Sequence, residues 1–201
     1  MFYEPASRDR SLLRHDPFKA IIAPRPIGWI STVSAAGMAN LAPYSFFNAI
    51  AGSPPIIAFA SESRKHTVAN AEATGEFVWN MATFALRHAM NASAAILPEG
   101  ESEFVAAGLD TAPCRHVRPP RVAASPAALE CRVIEVMPIR DLDGNAADRW
   151  LVTGQVVGVH LDPDAVRDGQ FDLARVQALA RCGYQGDYAV VDRLIQLDRP
   201  E

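Results

Sequence analysis

Residues 23–48 read APRPIGWISTVSAAGMANLAPYSFFN, and the fold is decided there. Residues 27–34 are rich in β-branched and aromatic side chains, which fit a pleated, half-buried strand. They run into Ala35-Ala36-Gly37-Met38, where Gly37 is free to take the positive φ of a hairpin turn. The chain then returns through residues 39–48. A strand, a tight turn and a returning strand are the unit of an antiparallel sheet.

Working outward, residues 55–60 (PIIAFA) form a short apolar run entered through Pro54 and Pro55, and residues 76–81 (EFVWNM) form another. Between them the sequence predicts a helix over residues 64–74, with Ser63 as N-cap and Gly75 at the position that closes a helix. Further helices are expected at 84–92, 101–107 and 172–180. Long strands are expected at 129–139 and 150–161, joined through the Asp143-Gly144 turn, whereas the prolines at 119, 120 and 126 make residues 118–126 an extended connection. Many short strands with few helices between them predict a mainly β chain with peripheral helices, a barrel or sandwich and not alternating βαβ units. No G-x-G-x-x-G or G-x-x-x-x-G-K-[ST] motif is present, so neither dinucleotide-binding nor P-loop architecture is indicated.

The chain has 201 residues, 49% hydrophobic and 21% charged, which argues for one folded domain over residues 1–201. A formal charge of −4 argues against general nucleic-acid binding, and no apolar run is long enough for a membrane helix. The charged N-terminus lacks the apolar core of a signal peptide, so the expected location is the cytoplasm. Cys114, Cys131 and Cys182 are too few and too widely spaced for a disulfide framework, and Cys114 with His116 lacks a second pair of metal ligands. No metal site is expected. His15, His88, His116 and His160 read as ordinary histidines, Cys131 as a small core residue, and Trp29, Trp79 and Trp150 as core or interface residues.

Two segments carry chemistry. Arg25, between two prolines, sits on stiff backbone, Thr32 offers a strand hydroxyl, and Asn40-Leu41-Ala42-Pro43-Tyr44-Ser45 places small and polar residues where backbone groups can face a planar polar ring. The second segment, Ser61-Glu62-Ser63-Arg64-Lys65-His66-Thr67-Val68, joins an apolar strand to a helix start. Amides at the positive end of a helix dipole, two cations and three hydroxyls suit a phosphate. A capped helix with a solvated first turn is the plainer alternative. No serine or cysteine has the context of an activated nucleophile, and no acid–base machinery stands out, as expected where a cofactor carries the chemistry.

These segments, from Arg25 to Phe47 and from Ser61 to Thr67, resemble the flavin reductase-like, FMN-binding split-barrel family. Residues 180–188 (ARCGYQGDY) look like that family's closing Arg–Gly–Tyr motif, and residues 153–160 (TGQVVGVH) resemble its final barrel strand. The resemblance covers a core of about 15–192. His66 stands where an acidic residue is usual, and Cys182 replaces a common leucine. The resemblance implies a six-stranded Greek-key split β-barrel that forms a homodimer, with FMN near the subunit interface. Arg64, Lys65 and Thr67, with Ser61, would take the phosphate. Thr32 and the backbone of Asn40, Leu41, Ala42, Pro43, Tyr44 and Ser45 would line the isoalloxazine, with Arg25 and Tyr188 nearby. It further implies an NAD(P)H-dependent flavin reductase using NADH or NADPH and passing electrons to a second flavin or a partner monooxygenase. A flavoredoxin-like FMN electron carrier and an FMN-dependent oxidoreductase of an organic substrate are the alternatives.

Overall fold

A computed structural model describes residues 1–98, 100–198 and 200. Seven strands form one antiparallel sheet: β1 (Gly28–Val33), β2 (Ala39–Tyr44), β3 (Phe47–Gly52), β4 (Pro55–Glu62), β5 (Glu76–Asn80), β6 (Ala127–Arg140) and β7 (Ala146–Leu161). Their spatial order is β2-β1-β5-β6-β7-β4-β3. The two edge strands, β2 and β3, are consecutive in the chain, separated by Ser45 and Phe46 alone. Three peptide steps reach about 11 Å at most, so the sheet must curl until its edges meet. No ladder closes that seam. The result is the split barrel expected from the sequence, with one difference: the return segment 39–48 breaks at Ser45–Phe46, and the six expected strands become seven.

Packing follows from side-chain alternation. β1 is buried along its whole length, with Trp29 and Ile30 both at 0% exposure on opposite faces. Ile30, Phe59, Phe77, Cys131 and Val152 fill the barrel interior, where helix His66–Thr74 inserts Val68 and Ala71. Gly154 is required there, because a Cβ at that position would overlap the Phe77 ring. On the other side Trp29, Leu41, Met90 and Phe104 form a second cluster under the short helices Arg87–Ala92 and Glu103–Ala106. The Trp29 Nε1 donates to Ser93 Oγ at 2.9 Å, so burying the indole strands no donor.

The helix expected at 172–180 is cut short. It covers Leu173–Val176, Gln177 takes φ +52°, and Leu179–Arg181 becomes a strand between Arg25–Pro26 and Tyr188–Val190. Pairing with those extended segments outweighs the local helical preference. The helices expected at 84–92 and 101–107 shorten to Arg87–Ala92 and Glu103–Ala106. Among the described residues, no helix is long and apolar enough to cross a membrane.

Candidate functional site

The two chemistry-bearing segments meet at Thr67. Asn40, Ala42 and Tyr44 share one face of β2 by strand alternation. From that face Asn40 Nδ2 donates to Thr67 Oγ1 at 2.9 Å, and the Tyr44 hydroxyl lies beside Thr67 and Ser61. Burial pushes the Tyr44 phenol above its ordinary range, helped by the Glu103 carboxylate, while Thr67 and Ser61 act in the opposite direction. One turn further along the helix, Asn70 Nδ2 donates to Thr32 Oγ1 at 3.1 Å. Thr32, Asn40, Tyr44, Ser61 and Thr67 therefore gather into one buried or half-buried polar cluster.

Beside it lies a helix start that the protein leaves uncapped. Ser63 is not the N-cap expected from the sequence. It takes φ +79°, its N–H donates to the Asp148 carbonyl at 3.0 Å, and its carbonyl accepts from Ser61 Oγ at 2.9 Å. That sharp turn delays the helix to His66, with Lys65 extended at the N-cap position. No side chain bonds its first amides, and no acidic residue occupies its first turn. Orphan N–H groups at a positive dipole end are receptive to an anion. Gly75 ends the helix at φ +71°, as expected.

The remaining expected residues divide. Lys65 is exposed and has no ion-pair partner among the described residues, whereas the Arg64 guanidinium pairs with Glu72 and lies 5.8 Å from the centre of the Trp150 ring. Both members of that pair are about half exposed (49% and 42%), so the bond is weak enough to be exchanged for a stronger anion. Leu41 points into the core and its N–H donates to the Glu103 carboxylate at 3.0 Å, while Ser102 Oγ covers the Ala39 carbonyl. The outer edge of β2 is thus taken at 39–41, leaving Pro43, Tyr44 and Ser45 as the open part. Ala42 pairs with Ile30 and Pro43 with Trp29.

Arg25 is buried and its Nη1 is used by the carbonyls of Lys19 and Ile22 at the end of helix Phe18–Ile21. Through that helix it steadies Lys19, whose Nζ meets Glu62 at 3.2 Å and lies 5.4 Å from the Phe46 ring centre. Arg25 therefore supports the rim of the site indirectly. Tyr188 sits in the same register row, Arg25 opposite Arg181 and Arg181 opposite Tyr188, with the Arg181 guanidinium 4.8 Å from the tyrosine ring centre. Sequence reasoning missed Asn70, Glu72 and Glu103. Asn70 was within reach, since it lies three residues after Thr67 on the same helical face. Glu103 carried no such signal, because only the tertiary fold brings it to Leu41.

A curled antiparallel sheet whose two edge strands meet around an inserted helix defines a split-barrel protein. Residues 22–177 match the family model described as flavin reductase like domain, and the chain belongs to that family of flavin-related oxidoreductases. An uncharacterized protein of Deinococcus radiodurans is 36% identical over 92% of this chain and 84% of its own length. Protein BH2278 of Halalkalibacterium halodurans is 34% identical over 94% of each. Nitrilotriacetate monooxygenase component B from Bacillus cereus superposes with a TM-score of 0.88 at 27% identity, covering 98% of both chains. Flavoredoxin of Desulfovibrio vulgaris (Miyazaki F) shares the fold, with a TM-score of 0.79 at 20% identity over 98% of this chain and 97% of its own.

Proposed function

We propose that the chain binds FMN and acts as an NAD(P)H-dependent flavin reductase that delivers electrons to a second flavin or a partner monooxygenase. The observation that carries this reading is the uncapped start of helix His66–Thr74, with Lys65 free beside it and Ser61 and Thr67 at its base. A phosphate monoester fits this donor set, since free amides, hydroxyls and a cation with no acidic residue in the helix's first turn can neutralise a dianion. Membership of the flavin reductase like family and the likeness to a monooxygenase component B support the electron-delivery role. When bound, FMN supplies the chemistry: it accepts a hydride from a nicotinamide and passes electrons on.

The chain's own residues then bind and orient. Lys65 and the amides of residues 66–68 hold the phosphate, and Arg64 joins them by releasing Glu72. Thr32, Asn40 and the open segment Pro43-Tyr44-Ser45 line the ring, with Ala42 and Leu41 behind it in the sheet. Phe46 and Phe47 close the apolar side, Phe47 being stacked on Trp79 with centroids 5.6 Å apart. We also propose a two-fold homodimer as the working form, because Ile50, Ile134 and Val159 expose apolar surface on strands of the sheet among the described residues.

Affinities for FMN and riboflavin, measured together with steady-state oxidation of NADH and NADPH, test the reading. FMN binding tighter than riboflavin and turnover with added flavin are expected. Equal affinity for the two flavins would remove the phosphate assignment. Flavin binding without nicotinamide turnover would make the chain an electron carrier.

A further inference from the structure

We propose that Cys114, Glu130 and His160 form a binding site for one divalent transition-metal ion of the zinc class. Glu130 lies on β6, opposite Val78 of β5 and Gly158 of β7, eight residues along β7 from Trp150, the partner of Ser61. A Cβ at Gly158 would come within 3.1–3.3 Å of the Glu130 side chain, so the glycine gives that carboxylate room to lie across β7. There it meets His160 Nε2 at 2.5 Å, two residues further on the same face of the strand.

The third donor is delivered by the loop that follows Thr111–Ala112. The N–H groups of Arg115 and His116 donate to the two Glu130 oxygens at 2.8 and 2.6 Å, which pins that loop against the barrel. One donor atom each of Cys114, Glu130 and His160 then lies within 4.8 Å of the other two. A tetrahedral ion with bonds of roughly 2.0–2.3 Å needs donors about 3.5 Å apart, a distance that side-chain torsions can reach from here.

The chemistry of the set selects the ion. Sulfur, imidazole nitrogen and carboxylate oxygen together suit zinc and its first-row neighbours, and they do not suit magnesium or calcium. Glu130 is 1% exposed and has no lysine or arginine ion-pair partner among the described residues. A thiolate and a carboxylate balance a dication, which leaves no net charge in a buried place. The carboxylate also has room: about four lone-pair positions exist, two hold amides and one holds His160. Metal entry replaces the His160 contact and leaves the amide bonds in place. The Cys114 proton goes to solvent, and His160 binds through Nε2 with its proton on Nδ1. An open cleft of about 430 Å³ lined by Cys114, Pro113 and Val117 reaches the sulfur donor from solvent.

The test uses the full-length chain, stripped with chelator and titrated with Co²⁺ and then Zn²⁺. The expected result is one ion per chain, with a thiolate-to-cobalt charge-transfer band in the near ultraviolet that Zn²⁺ abolishes. Cys114→Ser should lose that band, and His160→Gln should bind at least about 100-fold more weakly, more than loss of a merely supporting partner costs. FMN binding by both variants serves as the check on folding. Absence of the charge-transfer band in the parent chain would overturn the proposal, as would unchanged affinity and stoichiometry in both variants. Glu130 and His160 would then be a structural hydrogen bond.

Discussion

The polar cluster around Thr67 and the one around Glu130 sit on the same sheet and differ in how completely they are satisfied. At Thr67, hydroxyls and amides bond one another, yet the adjoining helix start keeps free N–H groups and Lys65 keeps a free charge. At Glu130, one carboxylate is enclosed by two backbone amides and an imidazole. The first can take an incoming anion by giving up at most the half-exposed Arg64–Glu72 pair. The second already serves the fold, and it accepts only a ligand that replaces one of its three donors. Donor capacity left over, more than polarity itself, separates a site for a diffusible ligand from a structural one.

The largest effect should come from the closed cluster. Glu130→Ala leaves the Arg115 and His116 amides and the His160 ring without their half-buried acceptor contacts. Leaving a buried donor without its acceptor costs about 1–3 kcal/mol for each such donor. Urea unfolding should show the midpoint fall with an unchanged slope, while the ratio of FMN to riboflavin affinity stays where it was. A loss below about 1 kcal/mol would mean that the carboxylate is not holding the 114–116 loop.

Legibility in the sequence followed the same division. Strands β1, β4 and β5 were readable because their own side chains are β-branched or aromatic and Gly37, Pro54 and Gly75 punctuate them. The mainly β class was legible from the short strands themselves, and the split barrel came from the resemblance carried by residues 25–47, 61–67 and 180–188. Three features were not. Ser63 looked like an N-cap, but a bond to Asp148, brought in by β7, draws it into a turn. Residues 179 and 180 looked helical, and only the distant Arg25–Pro26 and Tyr188–Val190 explain their extension. Cys114, Glu130 and His160 showed no ligand spacing because a loop and two strands, 16 and 30 residues apart, assemble them. Contacts across the sheet leave no periodic trace in the chain.

The open cluster should respond in binding, with little change in stability. Lys65→Ala removes the one cation at the helix start that is exposed and unpaired among the described residues. A charge-assisted hydrogen bond of about 1.5–3 kcal/mol corresponds to a 10- to 150-fold loss of FMN affinity. Riboflavin, which lacks the phosphate, should bind almost as before, and the FMN effect should shrink as salt rises. Equal weakening of both flavins would place Lys65 at the ring and dissolve the contrast between the two clusters, because the helix start would then be an ordinary solvated turn.

The smallest effect, and the most diagnostic of the boundary between the clusters, is expected at Tyr44. Its hydroxyl lies beside Thr67 and Ser61 while the ring packs on Phe59, with centroids 5.0 Å apart. Tyr44→Phe keeps the packing and deletes the hydroxyl, which should cost about 1 kcal/mol at neutral pH. The pH dependence has a defined sign. Burial raises the phenol above its unfolded value, so folding favours the neutral form. That contribution is fully present below the unfolded value of about 10 and is lost as the pH rises through the folded value. The parent chain should therefore lose stability more steeply than Tyr44→Phe above about pH 10, and the two curves should converge. Parallel curves through that range would show that the Tyr44 hydroxyl already reaches solvent, and the Thr67 cluster would then be open on its ring side as well as at the helix start.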